Sequence, residues 1–64
     1  MFAGGDRVKL KKEAGGYGPG AKGVVMEIPD EGVLQVDIDT DESGNPVQPP
    51  FPLPPLSVDY FEPA

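Results

Sequence analysis

The chain has 64 residues, with nine glycines, nine prolines, no cysteine, no histidine and no tryptophan. One domain, residues 1–64, is expected at this length, and a chain this short buries only roughly 60% of the surface its unfolded form exposes. No disulfide framework or thiolate zinc site can be built, and the commonest general base and metal ligand is missing. The net charge of −6 is split unevenly: residues 1–22 carry five bases against two acids, +3, and residues 23–64 carry nine acids and no base, −9.

No apolar run approaches the ~18 residues of a membrane span. Met1-Phe2-Ala3-Gly4-Gly5-Asp6 lacks the charged and apolar regions of a secretory signal. A cytoplasmic protein without a membrane partner is therefore expected. Gly plus Pro make up 18 residues, a share at which disorder competes with folding. Against disorder, 38% of the residues are hydrophobic and they fall in short alternating runs.

Arg7-Val8-Lys9-Leu10-Lys11 alternates strictly, which predicts strand 1 over about 6–12 with Val8 and Leu10 inward. Glu13 to Ala21 holds four glycines and a proline. It reads as a loop without regular structure that arches over one end of a barrel. Its aromatic, Tyr17, is either a lid on the core edge or an exposed contact. Strand 2 is expected over 23–28, with Val24, Met26 and Ile28 inward and Val25 and Glu27 outward. Pro29-Asp30-Glu31-Gly32 reads as a turn, with proline setting its first dihedral. Strand 3 is expected over 33–39, with Leu34, Val36 and Ile38 inward and Gln35, Asp37 and Asp39 outward.

The lysines of strand 1 and the aspartates of strand 3 would face each other if those strands were neighbours. Direct cross-strand pairs of opposite charge contribute on the order of 0.2–1 kcal/mol. A polar loop over 40–46 leads to Val47–Leu56, where five of ten residues are proline. Proline lacks the N–H of a central strand, so this segment is an edge strand or an extended polyproline-type run. Leu56, Val58 and Tyr60 are in phase, which predicts a short last strand over 57–61. No helix is expected beyond a single turn near 54–57. The predicted core is Val8, Leu10, Val24, Met26, Ile28, Leu34, Val36, Ile38, Leu53 and Val58.

Gly5-Asp6-Arg7-Val8-Lys9-Leu10, a Gly-rich loop, and then Gly20-Ala21-Lys22-Gly23-Val24-Val25-Met26-Glu27-Ile28 resemble the opening of many bacterial SH3-like and KOW-type domains. The resemblance covers about 6–39. It implies an all-β fold, a small SH3-like five-stranded barrel with a Gly-rich first loop and a Pro-rich fourth segment. In it, Gly23 would permit the sharp entry into strand 2, and the Pro-rich 46–56 stretch departs from the pattern. Lineages of this fold include small accessory subunits of redox and photosynthetic complexes, ribosomal and transcription KOW modules, a tetrameric plasmid-type dihydrofolate reductase, and many short families without assigned function. The chain looks most like the last group. The reductase's Val-Gln-Ile-Tyr active-site segment has no counterpart in Ser57-Val58-Asp59-Tyr60.

Four patterns in the sequence bear on chemistry. Asp37-x-Asp39-x-Asp41 resembles a calcium loop, but the sixth and twelfth positions hold Glu42 and Gln48 in place of Gly and Glu, so a solvated strand face and turn are expected and no metal is assigned. Pro49–Leu56 has PxxP spacing without a flanking base, which favours packing on its own barrel through Phe51 and Leu53. The 15–23 loop lacks the Lys-Ser/Thr ending of a phosphate loop, and Ser43 and Ser57 have no histidine base. Neither an enzyme nor a cofactor is expected.

The fourth pattern is the basic stripe Arg7, Lys9, Lys11 and Lys22, with Lys12 beside it. It gives the alternative function, KOW-like phosphate contacts, although a pI near 4.2 opposes a polyanion partner. The leading expectation is a non-catalytic protein-interaction module, an accessory or regulatory subunit that is monomeric or weakly homo-oligomeric. Its expected contact surface is Tyr17 and Pro19 with Phe51, Pro52 and Tyr60, because long loops of small barrels commonly carry contacts.

Overall fold

A computed structural model describes residues 1–64. The strands are β1 (Arg7–Leu10), β2 (Lys22–Asp30), β3 (Val33–Thr40), β4 (Pro46–Pro52), β5 (Leu56–Ser57) and β6 (Phe61–Pro63). They form one antiparallel sheet in the order β4-β3-β2-β1-β6, with β5 also paired to β3. The protein is all-β, and no helix is long and apolar enough to cross a membrane.

β3 organises the sheet because it is paired along both edges. β2 covers one edge. The other is shared, with β4 against Asp37–Thr40 and β5 against Val33–Leu34. Between those two ladders the Leu53 N–H donates to the Val36 carbonyl at 2.9 Å, so the Pro-rich connection stays attached. As its prolines require, β4 is an edge strand.

The last segment differs from the single strand expected over 57–61. Val58–Tyr60 is a 3-10 turn, capped by the Ser57 hydroxyl, and it separates β5 from β6. Those three residues carry the chain from the β3 edge to the β1 edge. The Val58 N–H donates to Gly32 (2.9 Å), and the Lys11 N–H donates to Tyr60 (2.7 Å). A three-residue link between opposite edges requires a strongly curled sheet.

Nine hydrophobic residues are buried on the concave side: Val8, Leu10, Leu34, Val36, Ile38 and Leu53, as expected, with Ala21, Val25 and Phe61. Each large side chain among them contributes about 1.5–3 kcal/mol relative to exposure. Val58 is half-buried and packs against this cluster.

β2 has the opposite phase from the expected one. Val25 is fully buried, Val24 is half-buried, and Met26 and Ile28 are 53% and 43% exposed. The reason begins at Gly23, which is buried between Val8 and Ile38 in the cross-strand row. A Cβ there would overlap the Asp37 carbonyl oxygen and lie 3.0 Å from the Ile38 Cα. Gly23 therefore faces the core, and period-two alternation sends Val25 the same way. Opposite β3, Val25 pairs Val36 and Glu27 pairs Gln35, so Met26 is the extra residue of a β-bulge.

Two other expectations change. β2 lies between β1 and β3, so those two strands are not neighbours. Pro29 and Asp30 belong to β2, which leaves Glu31-Gly32 as the hairpin turn. The Gly-rich segment does hold a regular element: Ala14 and Tyr17 exchange two backbone hydrogen bonds of 2.9 Å each. The turn between them, Gly15-Gly16, has φ of 61° and 88°, the positive pair that a two-residue hairpin of type I′ requires.

Because the Gly23 position leaves no room for a methyl group, Gly23→Ala should lower unfolding stability in urea by about 1–3 kcal/mol. Gly4→Ala, with open space around it, should leave the midpoint unchanged. Equal midpoints for the two variants would contradict the close approach of β2 to β3.

Candidate functional site

The Gly15-Gly16 turn swings Tyr17 back over β4. Its ring stacks on Phe51 at 5.5 Å between centroids, tilted by 55°. Gly15 lies directly beneath, where a Cβ would stand 2.5 Å from Leu53 Cδ2 and 3.4 Å from the Phe51 ring. Tilted aromatic pairs contribute about 0.5–1.5 kcal/mol beyond their buried area. Tyr17 is half-buried against the core, as the lid alternative has it, while Phe51 remains 41% exposed.

The five residues expected to form a contact surface are thus placed unequally. Tyr17 and Phe51 touch. Pro52 is exposed next to Phe51 and pairs with Asp37. Pro19 is exposed in the same loop as Tyr17. Tyr60 has no aromatic partner, and its ring instead carries the Lys12 ammonium at 5.2 Å.

Two residues of the basic stripe, Arg7 and Lys9, are engaged by the protein's own acids. Arg7 reaches across β2, over Val24, and grips Asp39 with two bonds, Nη1 to Oδ2 at 2.7 Å and Nη2 to Oδ1 at 3.1 Å. The Thr40 hydroxyl donates to the same carboxylate at 3.0 Å. Lys9 pairs with Glu62 of β6 at 3.5 Å. Lys11 and Lys22 are exposed and make no ion pair. The charge split of the sequence is partly resolved in this way, through a diagonal pair and a neighbour in β6.

The hydrogen bonds from Arg7 hold the Asp39 carboxyl below the usual aspartate range, and the same bonds raise the Arg7 guanidinium above its ordinary value. The Arg7 and Asp39 side chains are 49% and 29% exposed, so solvent screening keeps the pair near the ~0.2–1 kcal/mol of surface ion pairs.

The acidic run does not converge. Asp37 accepts from Gln35 Nε2 at 2.9 Å, Asp39 is held by Arg7, and Asp41 Oδ1 accepts the Ser43 and Asn45 N–H groups at 2.9 and 2.8 Å. Asp41 thus pins the β3–β4 turn. No group of three or more carboxylates is arranged to hold a metal ion.

A second surface feature escaped the sequence reading. Met1, Phe2, Ile28, Leu34 and Val58, with Glu31 and Gly32, line an open apolar groove of about 520 Å³. Ile28 lines it beside the buried Leu34, in the part of β2 where the pairing with β3 shifts register after Val25 and again before Asp30. Period-two alternation does not carry from Gly23 through the Met26 bulge to Ile28, so the sequence pattern held no signal for it.

No protein-family model matches the chain, no curated protein is significantly similar to it, and no solved structure matches it.

The depressed Asp39 pKa sets a pH dependence. Its contribution to stability is complete above the ordinary aspartate pKa of about 3.9 and is lost as pH falls through the lower folded value. Asp39→Asn should therefore cost up to about 1 kcal/mol near neutral pH. Urea midpoints of the variant and the parent should converge below that window, and added salt should shrink the gap. A difference that persists unchanged in strong acid would contradict the pairing.

Proposed function

We propose that this protein is a non-catalytic protein-interaction module of the SH3-like type, serving as a small cytoplasmic accessory or regulatory subunit. The observation that carries this reading is the Tyr17–Phe51 pair. Phe51 is a large aromatic left 41% exposed, yet its orientation is fixed by the Tyr17 ring and by Gly15 beneath. An exposed aromatic with an immobilised ring loses little entropy on binding, which is why such groups dominate interface energetics.

The flanking prolines support the same reading. Pro49, Pro50 and Pro52 are exposed around Phe51, and their restricted backbone offers a rigid apolar rim. They also limit what kind of contact β4 can make. Four of its seven residues are proline, so its outer edge has few N–H groups for strand addition. Recognition here would rest on side chains.

The phosphate-binding alternative is weaker than the sequence suggested. Of Arg7, Lys9, Lys11 and Lys22, the first two are engaged by Asp39 and Glu62. Lys11 and Lys22, with Lys12 beside the Tyr60 ring, are left to neutralise phosphates. Few phosphate contacts give weak, shallow salt dependence.

The test is a capture experiment at moderate salt after nuclease treatment, run with the parent protein, Phe51→Ala and Lys22→Glu. An accessory subunit should retain its partner with the parent and Lys22→Glu, and lose it at least about tenfold with Phe51→Ala, the size expected of a central aromatic anchor. Retention that disappears with nuclease or with Lys22→Glu, and is indifferent to Phe51, would overturn the reading in favour of nucleic acid.

A further inference from the structure

The apolar groove at the other end of β2 has a charged setting that says what can fill it. Glu31 lines the groove itself. Asp30 precedes it in the hairpin, and both are exposed. The Val58 N–H bond to the Gly32 carbonyl brings the 3-10 turn against this hairpin, and with it the exposed Asp59.

No lysine or arginine makes an ion pair with these groups; the Lys12 ammonium rests over the ring of Tyr60, the residue after Asp59, at 5.2 Å, and Met1 brings its α-amino group to the groove. Residues 23–64 contain no lysine or arginine. Lys22 lies six positions before Ile28 along β2, about 20 Å at the rise of a strand. That distance exceeds the ~8 Å Debye length at physiological ionic strength. Arg7 is committed to Asp39 by two hydrogen bonds.

We infer that the groove formed by Phe2, Ile28, Leu34 and Val58 is a docking site for a basic amphipathic peptide segment, whose apolar side chains fill it while lysines or arginines meet Glu31, Asp30 and Asp59. The volume of about 520 Å³ lies within the ~300–1,000 Å³ of ordinary ligand sites. A symmetric dimer through this face would set the same acids against one another, and an anionic membrane surface would be repelled. A free apolar compound would leave the acidic rim unused. The inference rests on the interaction-module reading but uses a different face from Tyr17 and Phe51.

The probe is a synthetic amphipathic peptide of leucines and lysines, with a second in which glutamate replaces every lysine. Each is titrated into the labelled full chain and followed by amide NMR. The lysine peptide should move the resonances of residues 27–34 and 57–60, and the glutamate peptide should not. Glu31→Lys with Asp59→Lys, both exposed sites away from the core, should weaken binding about tenfold. Ile28→Ser should weaken it while the dispersion of the free spectrum is preserved.

Equal shifts from both peptides, shifts confined to the residues around Tyr17 and Phe51, or no effect of the charge reversal would overturn the inference. So would concentration-dependent shifts in 27–34 without peptide, which would assign the groove to a second copy of the chain. Failure of the interaction-module reading shows separately, as indifference of partner capture to Phe51→Ala.

Discussion

The close approach of β2 to β3 at Gly23 governs the architecture. There is space for a hydrogen atom and not for a methyl group above the Asp37 carbonyl, so this position faces inward in the row with Val8 and Ile38. The phase of β2 as far as Val25 follows from it. Val25 enters the core opposite Val36, the Met26 bulge absorbs the extra residue, and Ile28 is left on the surface. Beyond Val25 the pairing shifts register twice before Asp30, and the groove forms at that irregular hairpin end.

The same geometry distributes the charges. With β2 between β1 and β3, the bases of β1 cannot pair directly with the acids of β3. Arg7 spans β2 diagonally to Asp39, and Lys9 finds Glu62 on β6. These pairs consume the middle of the basic stripe. At the hairpin end Asp30, Glu31 and Asp59 make no ion pair. The molecule therefore carries two unlike surfaces: an aromatic face edged with proline and an apolar groove edged with acid.

Much of the fold was legible in the sequence. Alternation in Arg7–Leu10 and Val33–Asp39 identified β1 and β3 and assigned their buried sides, and proline content placed β4 at the edge. The miss on β2 has a definite cause. Glycine carries no hydropathy signal, so Gly23 contributed nothing to the phase, while Met26 and Ile28 outweighed Val25 by number. A bulge is likewise invisible to period-two counting. Ser57–Phe61 looked like one strand because its apolar residues alternate, yet the chain must cross there between opposite edges of a curled sheet, which a straight strand cannot do. Of the site, Tyr17 and Phe51 were named from loop length and proline context. That they touch depends on the Gly15-Gly16 turn, whose glycines were read only as breakers.

The most direct test of this account is the solvent exposure of neighbouring side chains on β2, measured by the broadening of their methyl NMR signals with a soluble paramagnetic agent. A β2 phase fixed by Gly23 requires strong broadening of the Met26 methyl, with the Val25 methyls protected as fully as those of Val36, and the exposed groove requires broadening of the Ile28 methyls as well. Protected Met26 and Ile28 beside broadened Val25 would show the strand in the opposite phase, and the groove and its acidic rim would no longer exist as described.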